Sequence, residues 1–402
     1  MTSNILMLTH RIPWPPDKGD KIRSFQVLRH LTDKHNVHLG TFVDDPDDMQ
    51  YVPELERLCA GVCVRPVGRA RRFTRGVQAL LSRKPVTTAY YADNYLSRWV
   101  DEIARKHRID AVFVYSAGVA QHAEALAGTV VTVLDMVDVD SAKWRQYAQM
   151  KSGPTRLVYR REARLLAREE ARLAALFDRT LLVSEQEAAD LAAAVPQLAS
   201  RIGVMPNGVD TKLFSPEQVY DNPFPADVVP VVFTGAMDYW ANVEGVQWFA
   251  DSILHRVQAR IPNCRFYIVG SRPSREVRQL GEKTGVEVTG RVPDVRPYLA
   301  HSRVAVAPLR VARGLQNKVL EALAMNCSVV ATPAAARGIG TVPGGLGVAL
   351  TAEEFAREVV DRLGRSRPVE NRRFVERHFS WPAALQRLDQ ALAGDYAGVK
   401  VV

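Results

Sequence analysis

Short apolar runs rich in β-branched residues alternate with longer stretches of helical periodicity along most of this chain, and that alternation dictates parallel sheets with crossover helices. Strands are expected at Asn4–Thr9, Asn36–Phe42, Ala111–Tyr115, Thr129–Leu134 and Thr180–Val183. A second set follows at Val229–Thr234, Arg265–Val269, Val286–Thr289, Arg303–Pro308 and Ser328–Ala331. Five plus five strands in 402 residues call for two similar α/β domains, each with its own core. Between them VMPNGVDTKLF (204–214) and the Pro-rich 215–230 read as connecting loop, so the boundary is placed near 196–215.

Arg156–Leu176 reads as a long, charged surface helix with apolar positions at Leu157, Leu165, Leu166, Leu173 and Leu176. Ser380 is placed to cap a last helix that begins at Trp381-Pro382.

Charge narrows the partners. Residues 1–180 hold 28 Lys+Arg against 21 Asp+Glu, and the remainder 25 against 23, so most of the formal +9 lies in the first half. There Arg65–Lys84 carries seven basic residues and no acid, with Phe73, Val77, Leu80 and Leu81 at helical spacing. Such a segment suits an anionic membrane surface, or else a solvated basic helix with one face in the core. No helix-turn-helix, zinc-finger or RNP pattern accompanies it, which argues against nucleic acid. The four cysteines lack metal-ligand spacing and read as reduced thiols in cores. With no apolar run long enough for a signal or a membrane span, the setting expected is cytoplasmic, with contact at the inner face of the plasma membrane through residues 65–84.

In open α/β sheets ligands bind outside the carboxyl ends of the strands. Four loops there carry candidate chemistry. After the first strand, PPDKGDK places Gly19 and Asp20 at a helix start, where backbone N–H groups can meet a ligand. After TVVTVL come Asp135, Asp138 and Asp140 with Ser141; three alternating acids suit hydroxyl recognition or base chemistry better than a metal, and helix capping accounts for only one of them. Gly270 and the Gly290-Arg291-Val292-Pro293 turn close two further strands and read as the floor of a base pocket.

The fourth loop carries most weight. A strand ends at Pro308, Arg310 and Arg313 follow, Gly314 permits close approach, and a helix runs from about Leu315 to Ala324. Its start, through Gln316, Asn317 and Lys318, offers amides, a positive dipole end and an ammonium to a diphosphate. Glu321, three residues after Lys318, shares its face and suits ribose hydroxyls; the plain alternative is an exposed Lys–Glu pair.

The ordered set LLVSEQEAADL (181–191), VMPNGVDTKLF (204–214), FTGAMDYWANVEGVQWF (233–249), VTGRVPDVRPYLAHSRVAVAPL (288–309), GLQNKVLEALAMNCSVVAT (314–332) and FVERHFSW (374–381) resembles the family 4 glycosyltransferases of GT-B fold over nearly the whole chain. More narrowly, DMVDVDSAKW (135–144) and YRREARLLAREE (159–170) resemble sugar transferases of bacterial exosortase exopolysaccharide systems. The resemblance implies an acceptor-binding domain at 1–200, a nucleotide-sugar-binding domain at 201–375, and a terminal helix at 376–402 returning to the first domain, the two domains facing a cleft. It implies retaining transfer from a nucleoside diphosphate sugar, commonly UDP-linked, to a hydroxyl of a glycan or lipid-linked acceptor, with no required metal or further cofactor. Glu321 would hold the ribose, Gly314–Lys318 the diphosphate and Arg291–Pro293 the base, with Gly19, Asp20, Gly235, Gly270 and Arg310 completing the donor site. Lys318 would stabilise the leaving group, and Asp135 or Asp138 would face the transferred sugar.

Two departures stand out. Arg313 occupies the position of a usual glutamate, and GAMDYWANVEG lacks the usual arginine and lysine. They motivate the alternative of a catalytically inert GT-B scaffold in a polysaccharide assembly system.

Overall fold

A computed structural model describes residues 2–16, 19–67, 84–150, 152–312 and 315–394. The chain divides into two compact units, residues 1–206 with 385–402, and residues 207–384.

The first unit is built on seven parallel strands in the order β3-β2-β1-β4-β5-β6-β7. They are β1 Asn4–Thr9, β2 Asn36–Val43, β3 Gly61–Pro66, β4 Ala111–Tyr115, β5 Val131–Val137, β6 Arg179–Leu182 and β7 Ile202–Val204. The second holds six, in the order β10-β9-β8-β11-β12-β13: β8 Val229–Thr234, β9 Cys264–Val269, β10 Val286–Gly290, β11 Val304–Ala307, β12 Ser328–Ala331 and β13 Leu346–Val348. All ten expected strands are present. The three additional ones, β3, β7 and β13, are edge strands: β3 is mostly half-buried, and the other two are three residues long. Neither gives a run of apolar residues long enough to register as a strand.

Both sheets reverse direction of growth once, between β1 and β4 and between β8 and β11. A crevice at the carboxyl end of the sheet opens at each such point. Among the helices are α1 Gly19–Thr32, α2 Asp140–Met150, α3 Gly153–Leu176, α4 Glu185–Ala194, α5 Trp240–Trp248, α6 Asn317–Ala324 and α7 Trp381–Leu392.

α3 departs from its expected pattern. Its buried face is Glu162, Ala163, Leu166, Glu170, Leu173 and Ala174, whereas Leu157 is 67% exposed. The two glutamates belong there because each satisfies backbone donors at a helix start. Glu162 accepts from Val86 N at 2.7 Å, and Glu170 accepts from Ser141 N at 2.8 Å and Ser141 Oγ at 2.5 Å. A carboxylate that closes orphan amides is tolerated inside where an unpaired one is not. Ser380 caps α7, accepting from Ala383 N at 3.4 Å. Beyond residue 385 this helix packs in the first unit: Asp389 accepts from His30 at 2.7 Å and Lys34 at 2.8 Å, and Arg387 donates to Val204 O. The four cysteines are free thiols, three of them buried.

Candidate active site

In the second unit the carboxyl ends of β8, β9 and β10 are joined through glycines. Gly235 N donates to Val269 O at 3.0 Å and Gly270 N to Gly290 O at 3.2 Å. A Cβ on Gly270 would stand 1.7 Å from Gly235 O, so no side chain fits there. The backbone is therefore bare along this edge. Met237 N donates to Ser271 O at 2.8 Å, and Arg272 pairs with Asp238 at 3.0 Å, which ties the β8 and β9 loops together.

Lys318 is the group aimed at that edge. It stands on the first turn of α6, after β11, and its ammonium crosses to the β8 side of the switch point. Nζ donates to Asn242 Oδ1 at 2.6 Å, lies 4.1 Å above the Phe233 ring, and would be 3.0 Å from a Cβ on Gly235. Asn242 is itself fixed by donating to Ala236 O at 2.8 Å. Glu321, one turn further along α6, stays half-buried. Burial drives both groups toward neutrality, lowering Lys318 to about 7 and raising Glu321 to about 7, while their mutual attraction opposes each shift. Such a pair is poised for a ligand that brings both a negative charge and hydroxyl donors. Leu315 is buried, Gln316 opens the helix in an extended conformation, and Asn317 Oδ1 is buried with no partner among the described residues.

The remaining expected donor residues are placed as follows. Arg291 and Pro293 are exposed and Val292 half-buried in the turn after β10. Arg310 is engaged by Glu244 and lies 5.8 Å from the centre of the Trp248 ring. Arg313 and Gly314 lie outside the described residues, as does most of the basic segment 65–84.

In the first unit the structure corrects the reading of Asp135. Its side chain is fully buried, and Arg23, itself buried, donates from Nε to Oδ2 at 2.8 Å and from Nη2 to Oδ1 at 3.0 Å. A carboxylate closed off in this way neither reaches a sugar nor accepts its proton; it anchors α1 to β5. Arg23 also donates to Met205 O at 2.7 Å. Asp138 is half-buried in the same loop. That loop is held by Val139 N donating to Glu187 of α4 at 2.7 Å and by the Ser141–Glu170 bonds. Val137 adopts φ +69° there and Ser116, just past β4, φ +84°. Left-handed backbone at a β-branched residue costs on the order of 1–3 kcal/mol, and such strain gathers at functional sites.

Gly19 opens α1 and is exposed, whereas Asp20 is drawn into a cluster that sequence reading did not find. Arg11, just past β1, grips Asp44 with two bonds of 3.0 and 2.7 Å and also holds Asp20. His10 lies 3.6 Å from Asp20 and stacks on Tyr115 at 5.4 Å. Burial raises the Asp20 pKa, but the His10 hydrogen bond and the Arg11 charge outweigh it and hold the carboxyl well below its usual range. The signal available was the run His10-Arg11 directly after a strand beside the switch point. Among the described residues no group of three or more His, Cys, Asp or Glu stands at a spacing that could hold a metal ion.

Residues 229–365 match the family model described as glycosyl transferases group 1. That stretch contains every part of the Lys318 site. No curated protein matched the chain. Solved structures do, over nearly their whole length. A glycosyltransferase from Rickettsia africae superposes with TM-score 0.65 at 14% identity, covering 98% of each chain. Anabaena HepE in complex with UDP and glucose gives 0.64 at 14%, covering 96% of this chain and 99% of that one. Sucrose-phosphate synthase from Thermosynechococcus elongatus gives 0.68 at 18%, covering 96% and 98%. At such identities the likeness establishes the fold, two Rossmann-like units of GT-B type, in agreement with the expected architecture.

Proposed function

We propose that the chain is a retaining glycosyltransferase that moves a sugar from a nucleoside diphosphate sugar, UDP-linked, to a hydroxyl acceptor in exopolysaccharide or other cell-surface glycan synthesis. The observation that carries the reading is the Lys318 ammonium held over the bare glycine edge of β8, with Glu321 one turn along the same helix. The match of residues 229–365 to glycosyl transferases group 1 and the UDP and glucose bound to Anabaena HepE support it.

In this reading the diphosphate lies against the start of α6. Departure of the sugar loads negative charge on the diphosphate, and Lys318 together with the amides at the helix start meets that charge in place. Glu321 accepts hydrogen bonds from the ribose hydroxyls, and the Gly270 and Gly290-Arg291-Val292-Pro293 turns border the base. Asp138 is the acid of the first unit that remains to meet the acceptor or the transferred sugar. The resemblance of residues 135–144 and 159–170 to exosortase-associated sugar transferases supports a role in exopolysaccharide synthesis, with the nucleotide sugar acting as donor substrate and no further cofactor.

The test is release of nucleoside diphosphate from UDP-, GDP- and TDP-sugars in the presence of hydroxyl acceptors. Lys318→Ala should lower turnover by roughly 10²-fold, the usual effect of removing one donor from a charge-stabilising site, while leaving the melting temperature nearly unchanged. A wild-type protein that binds UDP-sugars but never releases UDP would favour the inert scaffold instead. Unchanged turnover in Lys318→Ala would reject the assignment of that residue.

A further inference from the structure

In the first unit a cavity of ≈ 700 Å³, lined by none of His10, Arg11, Asp20 or Asp44, is walled by α3, by Lys84 just before the Val86–Tyr91 helix, and by the segment following β4. α3 contributes Arg161, Arg164, Arg168 and Arg172 to its wall. Like charges three and four residues apart on a helix repel, so a stripe of this kind weakens the helix unless something opposes it. Opposition is present at the two ends of the stripe, Arg172 and Arg161, and not at the two arginines between them. Arg172 is matched by Glu124 at 2.6 Å and Glu169 at 2.7 Å, which are the two carboxylates of the wall. Arg161 lies 3.8 Å from Oε2 of Glu162, whose Oε1 accepts from Val86 N. Arg164 and Arg168 are exposed and make no ion pair or side-chain hydrogen bond with any described residue. Gln121, also on the wall, is pinned by donating to Thr88 O at 2.7 Å, so the rim opposite the arginines is fixed.

We propose that this cavity binds a phosphate or diphosphate group, with Arg164 and Arg168 of α3 as its primary contacts and Lys84 closing the far side. Guanidinium forks one turn apart suit the paired oxygens of such a group better than isolated lysines do. The volume exceeds what an inorganic anion fills, so the group has room for the body that carries it. The proposal concerns binding alone and stands whether or not the second unit transfers a sugar.

The experiment has two arms. Sedimentation with vesicles of equal parts phosphatidylcholine and phosphatidylglycerol reads binding to lipid headgroups, and calorimetric titration with sodium pyrophosphate reads binding of the free group. The double substitution Arg164→Gln with Arg168→Gln should weaken whichever interaction the wild type shows by about thirtyfold, from roughly 1 kcal/mol per basic residue at an anionic surface. Both side chains are exposed, and far-ultraviolet dichroism confirms that the variant is folded. Arg156→Gln with Arg160→Gln removes the same charge from the same helix outside the cavity and should leave binding within a factor of about 3. Binding to vesicles alone identifies a lipid as the source, and binding of pyrophosphate alone a soluble ligand. The proposal is overturned if the wild type binds neither, if the cavity variant binds like the wild type, or if the control pair weakens binding equally.

Discussion

Lys318 and Glu321 are each useless to a diphosphate donor in the state that burial prefers, the amine neutral and the carboxyl protonated, and each becomes useful when the other and the ligand restore its charge. Both lie near 7 before a ligand arrives. Because two interacting groups titrate as a pair, the affinity for UDP-glucose should be highest near neutrality. Below about 7 Glu321 takes a proton and loses its use as a ribose acceptor; above about 7 Lys318 sheds its proton and loses the diphosphate. Association constants measured from acid to mildly alkaline pH should therefore trace a bell. Glu321→Gln should flatten the acid limb and, by removing the attraction that raises Lys318, move the alkaline limb to lower pH, and a wild-type profile without either limb would show that the pair does not face the donor. Asp135 shows the opposite use of a carboxylate: with Arg23 bound to both oxygens, it contributes geometry to the β5 loop and no chemistry.

At the level of elements, α3 is where the sequence was hardest to read. Its hydrophobic periodicity is diluted by buried Glu162 and Glu170, which belong to the inner face because they satisfy amides on other segments. No pattern of apolar residues announces a glutamate whose partner is 29 positions away. The strands of the sheet interiors were legible for the converse reason: buried on both faces, they read as unbroken apolar runs, and the edge strands β3, β7 and β13 do not. The α6 start was legible because loop, helix and charge stand consecutively, whereas the Arg11–Asp20–Asp44 cluster joins three separate segments. Glu170 also predicts a pH response. Burial raises it from 4.5 to about 7, the Ser141 bonds opposing, so the folded chain holds a proton that the unfolded chain releases. Stability from this group is present in full below 4.5 and is lost as pH rises to about 7. Chemical denaturation should show a decline of up to roughly 3 kcal/mol across that window in the wild type, and little decline in Glu170→Gln. An equal slope in both proteins would place the titrating group elsewhere.

For the molecule as a whole, two sheets of the same design carry different surroundings at equivalent places. The β8/β11 switch point presents a bare glycine edge and one directed ammonium, which fits a nucleotide sugar. At the β1/β4 switch point stand instead paired charges and stacked rings, His10 on Tyr115 and Arg11 between two aspartates, a surface that fits hydroxyls. The proposed function assigns the donor to the second unit and the acceptor to the first, and it makes donor binding the claim on which the rest depends. Isothermal titration of UDP-glucose into the wild-type protein and into Lys318→Ala at neutral pH tests it most directly. The account predicts saturable binding that weakens about 10- to 100-fold on losing one charge-assisted bond. Equal affinity in the two proteins, or heat from neither, would contradict it.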